Sequence, residues 1–550
     1  MRRKLVLIGL LVNFGVVQPG SSFGEKLGGV WDSISSFFAN LIASSEQKAL
    51  GPAREKYNLD NPYRETSSNV RTGTALSQEE QLFLQQRQAL VVDALRKHFG
   101  VSRPLKIAIC GSGGGYRAMI YTLGALIGAQ NIGLLDCATY LAGLSGSTWT
   151  IGAWMAQGAS LDQLKQDLKL QVQVSNLIGQ SLPKLITDSV EIEKVTRNLA
   201  IKLLFKQPLS IVALWGAVIA NTALVGLRGQ AQLVTLSSQK QLISQGQYPL
   251  PIYTAVCPLP VVDQANPQYH WVEFTPYEVG SAEMQAFVPS WGFGRKYING
   301  QARGFQINNQ RQFEPEMPFS YGLGIFGSAF EIDLCELTRD MQDQLQKQPL
   351  EAKALSVVVK ATNGDDRLMP AEVRNPVYKL VGHPQADQKH LTLVDAGLAF
   401  NLPLPPLLRP ERGVDVLVIV DASADVQGAC ELRKAEGYAR EHQLKFPKID
   451  YQGIDSRIVS IFSDLDVTVP IVIYLPMFND RTLPDIRLDQ VLRNFDPQAC
   501  LAEGPCSTFN FSYTGDQFER LCRLGQRNME LARSQISDAL VQRVRRLRLK

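Results

Sequence analysis

The sequence predicts an α/β fold, and three segments lead to this prediction. The apolar segment Ile107–Cys110 runs directly into a glycine-rich loop, which an apolar helix follows. Two further apolar segments, Leu391–Val394 and Val414–Val420, each end in or next to an aspartate. Short apolar runs bounded by turn signals are typical of buried strands, and α/β sheets place their working groups at the carboxyl ends of such strands.

Length and composition describe a globular protein with a large core. The chain has 550 residues, of which 45% are hydrophobic and 20% charged. A net charge of +4 over this length is nearly neutral, so no nucleic-acid partner is indicated. The eight cysteines include no CxxC pair and no cluster at metal-ligand spacing, which argues against structural zinc. Cys500 and Cys506 are expected to pair only in an oxidising compartment.

The first 77 residues divide into two predicted segments. Residues 1–22 have a basic start, an apolar run and small residues, which is the order of a secretory signal; an uncleaved anchor and an apolar N-terminus without a targeting role are the alternatives. Residues 23–77 contain an amphipathic helix and a polar linker. The apolar residues of that helix recur at helical spacing: Leu27, Val30, Trp31, Ile34, Phe37, Phe38, Leu41 and Ile42. Such a stripe more often covers a core than binds a membrane. We expect a single domain with insertions over residues 78–550, beginning with a charged helix from Gln78 to His98.

A serine between glycines follows the first strand and helix. Ser145 lies in Gly143–Ser147, a partial match to the GxSxG turn that exposes a nucleophilic serine between a strand and a helix. The match is partial because Ser147 stands where the last glycine belongs. The earlier loop, Gly113–Gly115, offers backbone N–H groups at a helix N-terminus, where they would meet a developing oxyanion.

Other interpretations of the glycine loop fit less well. A dinucleotide-binding fingerprint requires glycine where Tyr116 stands, although Asp136 lies at a suitable distance for a ribose contact. A phosphate-binding NTPase loop requires Gly-Lys-Ser/Thr at its end, which Tyr116–Ala118 does not supply. A tight turn without chemistry remains a further alternative.

Several later segments leave alternatives open. Asp395 is either a catalytic acid at a strand end or a helix cap, and Asp421 has the same ambiguity. Pro208–Leu227 contains no charged residue, and we expect a buried helix there rather than a membrane span. Trp271–Gly280 alternates apolar and polar residues, as a half-exposed strand does. The basic C-terminal tail, from Arg543 to Lys550, is expected to be a solvated face, with anionic lipid as an alternative partner.

Six motifs together resemble the catalytic domain of the cytosolic phospholipase A2 and phospholipase B (lysophospholipase) family. They occur in the family's order and the resemblance covers about Arg103 to Leu540. The motifs are Gly111–Met119, Gly143–Trp149, Trp271–Gly280, Gly327–Phe330, Asp395–Pro403 and Leu408–Asp415. The resemblance implies a three-layer α/β/α hydrolase fold with a central, mostly parallel sheet, patatin-like, with helical insertions.

The resemblance also implies a mechanism and a substrate class. Ser145 would be the nucleophile and Asp395 its base, in a Ser–Asp dyad that needs no metal or other cofactor. The N–H groups of Gly114 and Gly115 would form the oxyanion hole, and Arg117 would bind the substrate phosphate. The expected reaction is hydrolysis of fatty-acyl esters of glycerophospholipids or lysophospholipids through an acyl-serine intermediate, at a membrane surface. Acyl transfer by the same dyad and a non-catalytic lipid-binding role are the alternatives.

Three points depart from the family or compete with it. If His390 were the base, a Ser-His-Asp triad would follow, but His390 lies near the start of the strand that ends at Asp395. Nothing before Lys106 resembles the family's calcium-binding β-sandwich, and the segment from Ser328 to Asp395 is short for its cap. The apparent secretory signal predicts export, secreted or periplasmic, or membrane association, whereas the family's mammalian members suggest a cytoplasmic location.

Overall fold

The chain forms two compact units, each built from separate stretches of sequence. A computed structural model describes residues 54–174, 201–259, 267–329, 371–478 and 489–548. Within these ranges it does not describe residues 57, 203, 209, 211, 228, 494, 497, 498, 501–503, 505 and 509. It also describes residues 194, 197 and 198. Unit 1 comprises Met1–Arg71, Val174–Thr235 and Trp291–Leu393; unit 2 comprises Thr72–Gln173, Leu236–Ser290 and Val394–Lys550. The predicted signal segment and amphipathic helix lie outside the described residues.

The described strands and helices alternate along much of the chain. The strands are β1 (Arg71–Thr72), β2 (Ile107–Gly111), β3 (Ala138–Leu144), β4 (Leu250–Pro258), β5 (Tyr269–Phe274), β6 (Glu278–Ser281), β7 (Ala286–Pro289), β8 (Tyr297–Ile298), β9 (Gln301–Ala302), β10 (Phe305–Ile307), β11 (Gln310–Gln312), β12 (Ala371–Arg374), β13 (His390–Asp395), β14 (Val416–Asp421), β15 (Ser460–Phe462) and β16 (Ile471–Pro476). The helices are α1 (Gln78–Phe99), α2 (Gly115–Asn131), α3 (Leu134–Cys137), α4 (Gly146–Gln157), α5 (Leu161–Val174), α6 (Val212–Ala223), α7 (Lys240–Ile243), α8 (Phe319–Phe326), α9 (Cys430–Glu441), α10 (Gly515–Leu531) and α11 (Arg533–Arg548).

The sheet of unit 2 confirms the predicted fold class. Its strands lie in the order β7-β6-β5-β4-β3-β2-β14-β16-β15. The central strands β4, β3, β2, β14 and β16 run parallel to one another, and the outer strands pair antiparallel. Every residue of β2, β3 and β14 is buried, as expected for strands covered on both faces. The glycine loop and the Ser145 turn both follow the carboxyl ends of these central strands.

The helices of unit 2 begin and end at recognisable signals. Helix α1 matches the predicted charged helix: the Ser77 hydroxyl caps its first turn by accepting from the Glu80 N–H, and Gly100 ends it at a φ of 66°. Helix α2 packs closely on α10, because a methyl group on Gly124 would lie 1.8 Å from the Cys522 carbonyl oxygen. This close crossing anchors the helix whose first residue belongs to the glycine loop.

A buried ion-pair network explains the Leu408–Asp415 motif. Arg412 is fully buried and binds two carboxylates, Glu80 at 2.9 Å and Glu273 at 2.6 Å. Arg409 also binds Glu273. Burial of these charges is costly, and the mutual pairing offsets that cost while it joins α1, β5 and the loop before β14. Two of the motif's charged residues, Arg409 and Arg412, therefore have a structural role.

Unit 1 contains the uncharged segment that raised the question of a membrane span. That segment forms α6, a 12-residue helix that packs against α8, and the Trp215 indole N–H donates to the Gly327 carbonyl at 3.0 Å. Among the described residues, no helix is long and apolar enough to cross a membrane. Unit 1 also holds the β8–β9, β10–β11 and β12–β13 antiparallel pairs.

The basic C-terminal tail is not uniformly solvated. Arg543 is buried and binds Asp415 at 2.9 Å, and it donates a further bond to the Val469 carbonyl. Arg546 donates to the Asp464 carbonyl, whereas Arg545 is exposed. The prediction of a solvated face is therefore wrong for Arg543, because this part of α11 packs against the sheet.

Candidate active site

Ser145 lies at a sharp turn between β3 and α4. Its backbone is at φ 50° and ψ −122°, a region that residues with a side chain rarely adopt. Such local strain is often found at functional turns, where it directs one side chain out of the chain path. Gly146 must be glycine at this turn, since a methyl group there would lie 1.9 Å from the Gly115 carbonyl oxygen. The serine turn and the glycine loop are thus in direct backbone contact.

Ser147 explains why the GxSxG pattern is only partly matched. Its hydroxyl accepts a hydrogen bond from the Leu144 N–H at 2.8 Å and lies 2.8 Å from the Gly111 carbonyl oxygen, to which it donates. The side chain therefore joins the ends of β2 and β3. A hydroxyl at this position stabilises the turn that a glycine accommodates in the usual pattern.

Among the described residues, two of the glycine loop's three N–H groups donate no hydrogen bond to another backbone group. Gly113 is excluded as a donor because its N–H already binds the Asn401 carbonyl at 3.3 Å. Gly114 is the N-cap of α2 at φ 135°, and Gly115 is its first residue at φ 57°. The first N–H groups of an α-helix have no acceptor within the helix and carry the positive end of its dipole. Gly114 and Gly115, the pair predicted from the sequence, therefore keep such N–H groups at the start of α2, as the predicted oxyanion hole requires.

Strands β3 and β13 meet end to end on one edge of β4. Strand β5 occupies the other edge of β4 along Tyr253–Pro258. The first edge pairs in parallel with β3 as far as Thr254, which lies opposite Leu144. The next residue on that edge, Ala255, lies opposite Asp395, because β13 runs antiparallel to β4. The two strands therefore point towards each other, with Ser145 following the end of one and Asp395 at the end of the other.

Short contacts around the two glycine turns agree with this placement. A methyl group on Gly113 would lie 2.9 Å from the Ser145 Cβ and 2.3 Å from the Asn401 Oδ1. One on Gly397 would lie 3.2 Å from the Asp395 Oδ1 and 3.4 Å from the same Asn401 Oδ1. The Asn401 Oδ1 therefore lies close to both Gly113, which contacts Ser145, and Gly397, which contacts Asp395. Asp395 is fully buried and its Oδ1 accepts from the Gly397 N–H at 2.9 Å, so it also caps a short turn.

His390 is not placed to act as the base. It lies at the opposite end of β13 from Asp395, and five residues of strand span about 17 Å. Its imidazole is half exposed and faces Glu372 at 3.8 Å. The geometry therefore favours a dyad over a triad that includes His390.

Arg117 is buried beside the glycine loop. Its Nε donates to the Ala422 carbonyl at 2.7 Å, and its Nη1 to the Cys506 carbonyl at 2.8 Å and the Thr508 hydroxyl at 2.9 Å. Its Nη2 has no hydrogen-bond partner among the described residues and lies next to Gly114. Burial lowers the pKa of the guanidinium from its ordinary value. One donor of this cation thus remains for an anion close to the oxyanion donors.

Sequence reasoning missed four residues that build the site. Asn401 and Ser423 contact each other near the glycine loop, and Cys506 and Thr508 hold Arg117. Asn401 belongs to the Asp395–Pro403 motif. That membership could have pointed to it, although the sequence alone assigned it no role. Cys506 is disulfide-bonded to Cys500. Among the described residues, no group of three or more His, Cys, Asp or Glu residues is arranged to hold a metal ion.

Comparison with known proteins decides the family. Residues 107–452 match the model of the lysophospholipase catalytic domain. The chain belongs to this family. The match begins at β2 and includes the glycine loop, the Ser145 turn and Asp395, so the family assignment rests on the same segments that form the candidate site.

Curated relatives of the lysophospholipase domain are cytosolic phospholipases A2. Cytosolic phospholipase A2 zeta of Mus musculus is 29% identical over 86% of this chain and 62% of its own length. Cytosolic phospholipase A2 delta of Homo sapiens is 27% identical over 86% of this chain and 64% of its own length. The chain thus spans about three fifths of the length of these relatives. Their names give no support to the export that residues 1–22 predict.

Solved structures agree with the family and the fold. Human GIVD cytosolic phospholipase A2 has a TM-score of 0.72 and 25% identity over 87% of this chain and 68% of that chain. The same human protein in complex with methyl gamma-linolenyl fluorophosphonate has a TM-score of 0.67 and 27% identity over 87% of this chain and 66% of that chain. The three-layer α/β/α fold predicted for this lysophospholipase-domain protein is therefore confirmed.

Proposed function

We propose that this chain hydrolyses fatty-acyl ester bonds of glycerophospholipids, lysophospholipids or both, with Ser145 and Asp395 as a catalytic dyad. The observation that carries the proposal is the end-to-end meeting of β3 and β13 on one edge of β4, beside the glycine loop. Membership of the lysophospholipase domain family and the phospholipase relatives support the substrate class.

In the first step, the Ser145 oxygen attacks the ester carbonyl carbon. As the new C–O bond forms, Asp395 takes the hydroxyl proton and the carbonyl π electrons move to the oxygen. The N–H groups of Gly114 and Gly115 stabilise this oxyanion, assisted by the N-terminus of α2. A buried carboxylate is a stronger base than a hydrated one, which makes Asp395 more suitable for this transfer than an exposed acid.

In the second step, the tetrahedral intermediate collapses and the alcohol leaves. The leaving oxygen takes the proton back from Asp395, which leaves an acyl ester on Ser145. Water then attacks the acyl carbonyl, again with Asp395 as the base, and the fatty acid departs as the serine regains its proton. Apart from the substrate and this water, the steps use the serine, the carboxylate and the oxyanion donors.

Arg117 is proposed to bind the substrate phosphate through its Nη2. A planar guanidinium suits a phosphate better than an ammonium does, because it offers several donors in fixed directions. Three protein acceptors hold the rest of the guanidinium, so its direction is set before substrate binds. Its position beside Gly114 fits a head group that lies a few bonds from the reacting ester.

The test compares the wild type with Ser145→Ala, Asp395→Asn and His390→Ala on phosphatidylcholine and lysophosphatidylcholine. We expect the first two variants to lose at least about a thousandfold in kcat/KM and the third to remain within about threefold. An alkyl fluorophosphonate should add to Ser145 in the wild type, which mass spectrometry of the peptide detects. Full activity of Ser145→Ala would contradict the proposal, and loss in His390→Ala alone would indicate a histidine base. Products measured with and without an alcohol acceptor separate hydrolysis from acyl transfer.

A membrane surface as partner and export of the chain also belong to this proposal. The Cys500–Cys506 disulfide supports export, since such bonds persist mainly in oxidising compartments. Mass spectrometry of the protein from each cell fraction tests it. An N-terminus beginning near residue 23 is the expected result, and an intact Met1 in all fractions would contradict a cleaved signal.

A further inference from the structure

A buried hydrogen-bond chain leads from the end of β14 to the glycine loop. Asp421 is fully buried, and its carboxylate accepts from the Ser423 N–H at 2.9 Å and the Tyr474 hydroxyl at 2.8 Å. The Ser423 oxygen in turn accepts from the Asn401 Nδ2 at 2.8 Å. The same Nδ2 donates to the Gly113 carbonyl at 3.1 Å.

This chain fixes which way the Asn401 amide faces. The Gly113 carbonyl oxygen can only accept a hydrogen bond, so the Asn401 atom that lies 3.1 Å from it must be the amide nitrogen. The Nδ2 of Asn401 must therefore face Ser423 and Gly113, and its Oδ1 must face the other way, towards Gly397 and the dyad. Without such a neighbour, the Asn401 amide could rotate by half a turn, which would exchange the positions of its oxygen and its nitrogen.

Asn401 also holds the Gly113 peptide units from both sides. Its side chain donates to the Gly113 carbonyl, and its own carbonyl accepts from the Gly113 N–H at 3.3 Å. In a trans peptide, the C=O of one residue and the N–H of the next point in opposite directions. The direction of the Gly113 carbonyl therefore determines the direction of the Gly114 N–H. Because glycines flank this peptide, no side chain would resist its rotation.

We propose that Asn401, oriented by Ser423 and Asp421, is a positioning residue that holds the Gly114 N–H in the direction required to stabilise the oxyanion. This inference rests on the proposed ester hydrolysis and adds a residue to it. Asn401 does not touch the substrate in this mechanism. It acts through the peptide that carries the donor, so its loss should affect the transition state more than substrate binding.

The experiment uses a short soluble ester and the matching thionoester, in which sulfur replaces the carbonyl oxygen. Sulfur is the weaker hydrogen-bond acceptor, so the thionoester gains less from the oxyanion donors. In Asn401→Ala we expect kcat for the ester to fall about tenfold to a hundredfold, with KM changed less than about twofold. The ratio of ester to thionoester rates should fall several-fold, which general damage to the fold would not cause.

Two further variants and a control make the outcomes separable. Asn401→Asp is nearly isosteric but has no donor for the Gly113 carbonyl, so it should lose at least as much as Asn401→Ala. Ser423→Ala should give a smaller fall in the same ratio, since the Asn401 donor remains but is no longer oriented. An unchanged ratio in all three variants, or an equal loss on both substrates, would overturn the positioning role. Ser145→Ala separates the two proposals, since its full activity would overturn the hydrolase proposal itself.

Discussion

Substitution of Gly146 by alanine should separate the two backbone segments that form the site. The new methyl carbon would lie 1.9 Å from the Gly115 carbonyl oxygen and 2.8 Å from its carbonyl carbon. Both are backbone atoms, so no flexible side chain can move aside. The Ser145 turn and the glycine loop must move apart by about 1.5 Å before the contact reaches an ordinary van der Waals separation. Displacement of catalytic groups by about 1 Å already costs about a hundredfold in rate, or about 2.7 kcal/mol of activation free energy, so we expect at least that loss.

The assay is kcat/KM on phosphatidylcholine, with the thermal midpoint measured on the same preparation. Gly437→Ala is the matched control, because it adds the same methyl group inside α9, where no heavy atom lies within 4 Å. The control should keep full activity and gain up to about 1 kcal/mol of stability from the better helix former. Wild-type activity in a folded Gly146→Ala protein would refute the reasoning, since it would mean that the contact does not set the site geometry.

Two further predictions concern a buried lysine and the disulfide. Burial, together with the nearby charge of Arg374, lowers the pKa of Lys202 to about 7. Between that pH and the ordinary lysine pKa the unfolded chain binds more protons, so the free energy of unfolding should rise with pH. In urea titrations from pH 7 to 10, we expect the wild type to gain on the order of 3 kcal/mol relative to Lys202→Met, and a constant difference would contradict the shift. Reduction of the Cys500–Cys506 disulfide should let the Cys506 carbonyl move away from Arg117, which it now holds by a hydrogen bond. We therefore expect KM for phospholipids to rise about tenfold, with little effect on KM for a short uncharged ester. The double variant Cys500→Ser/Cys506→Ser should no longer respond to the reductant, and an equal response in both proteins would exclude this mechanism.

The elements around the proposed dyad were predictable from local patterns. An apolar strand followed by glycines, and a serine between glycines, describe β2, the loop before α2 and the Ser145 turn without any distant contact. The strand that ends at Asp395 was predictable for the same reason. What the sequence did not contain was the direction of β13 and its register against β4. Both depend on pairing between segments more than a hundred residues apart, and no local preference specifies such a pairing.

One expectation failed because distant partners changed the meaning of a polar residue. Trp271–Gly280 was expected to be one half-exposed strand, but a turn at Thr275 divides it into β5 and β6. Glu273 is buried there because Arg409 and Arg412 neutralise it, so alternation of polar residues did not indicate exposure. Arg117 stays a predicted phosphate ligand, but its three protein acceptors could not be predicted, because they follow it by more than 300 residues in the chain.

The wide spacing of the site residues along the chain has a consequence for synthesis. The serine emerges from the ribosome about 250 residues before Asp395, and the acceptors at Cys506 and Thr508 come later still. On the proposed mechanism, a nascent chain therefore carries its nucleophile with neither a base nor a fixed arginine until these later segments have been made. Molecules that stop before Asp395 would be harmless to the lipids around them, and full esterase activity would arise only after Thr508 has been synthesised.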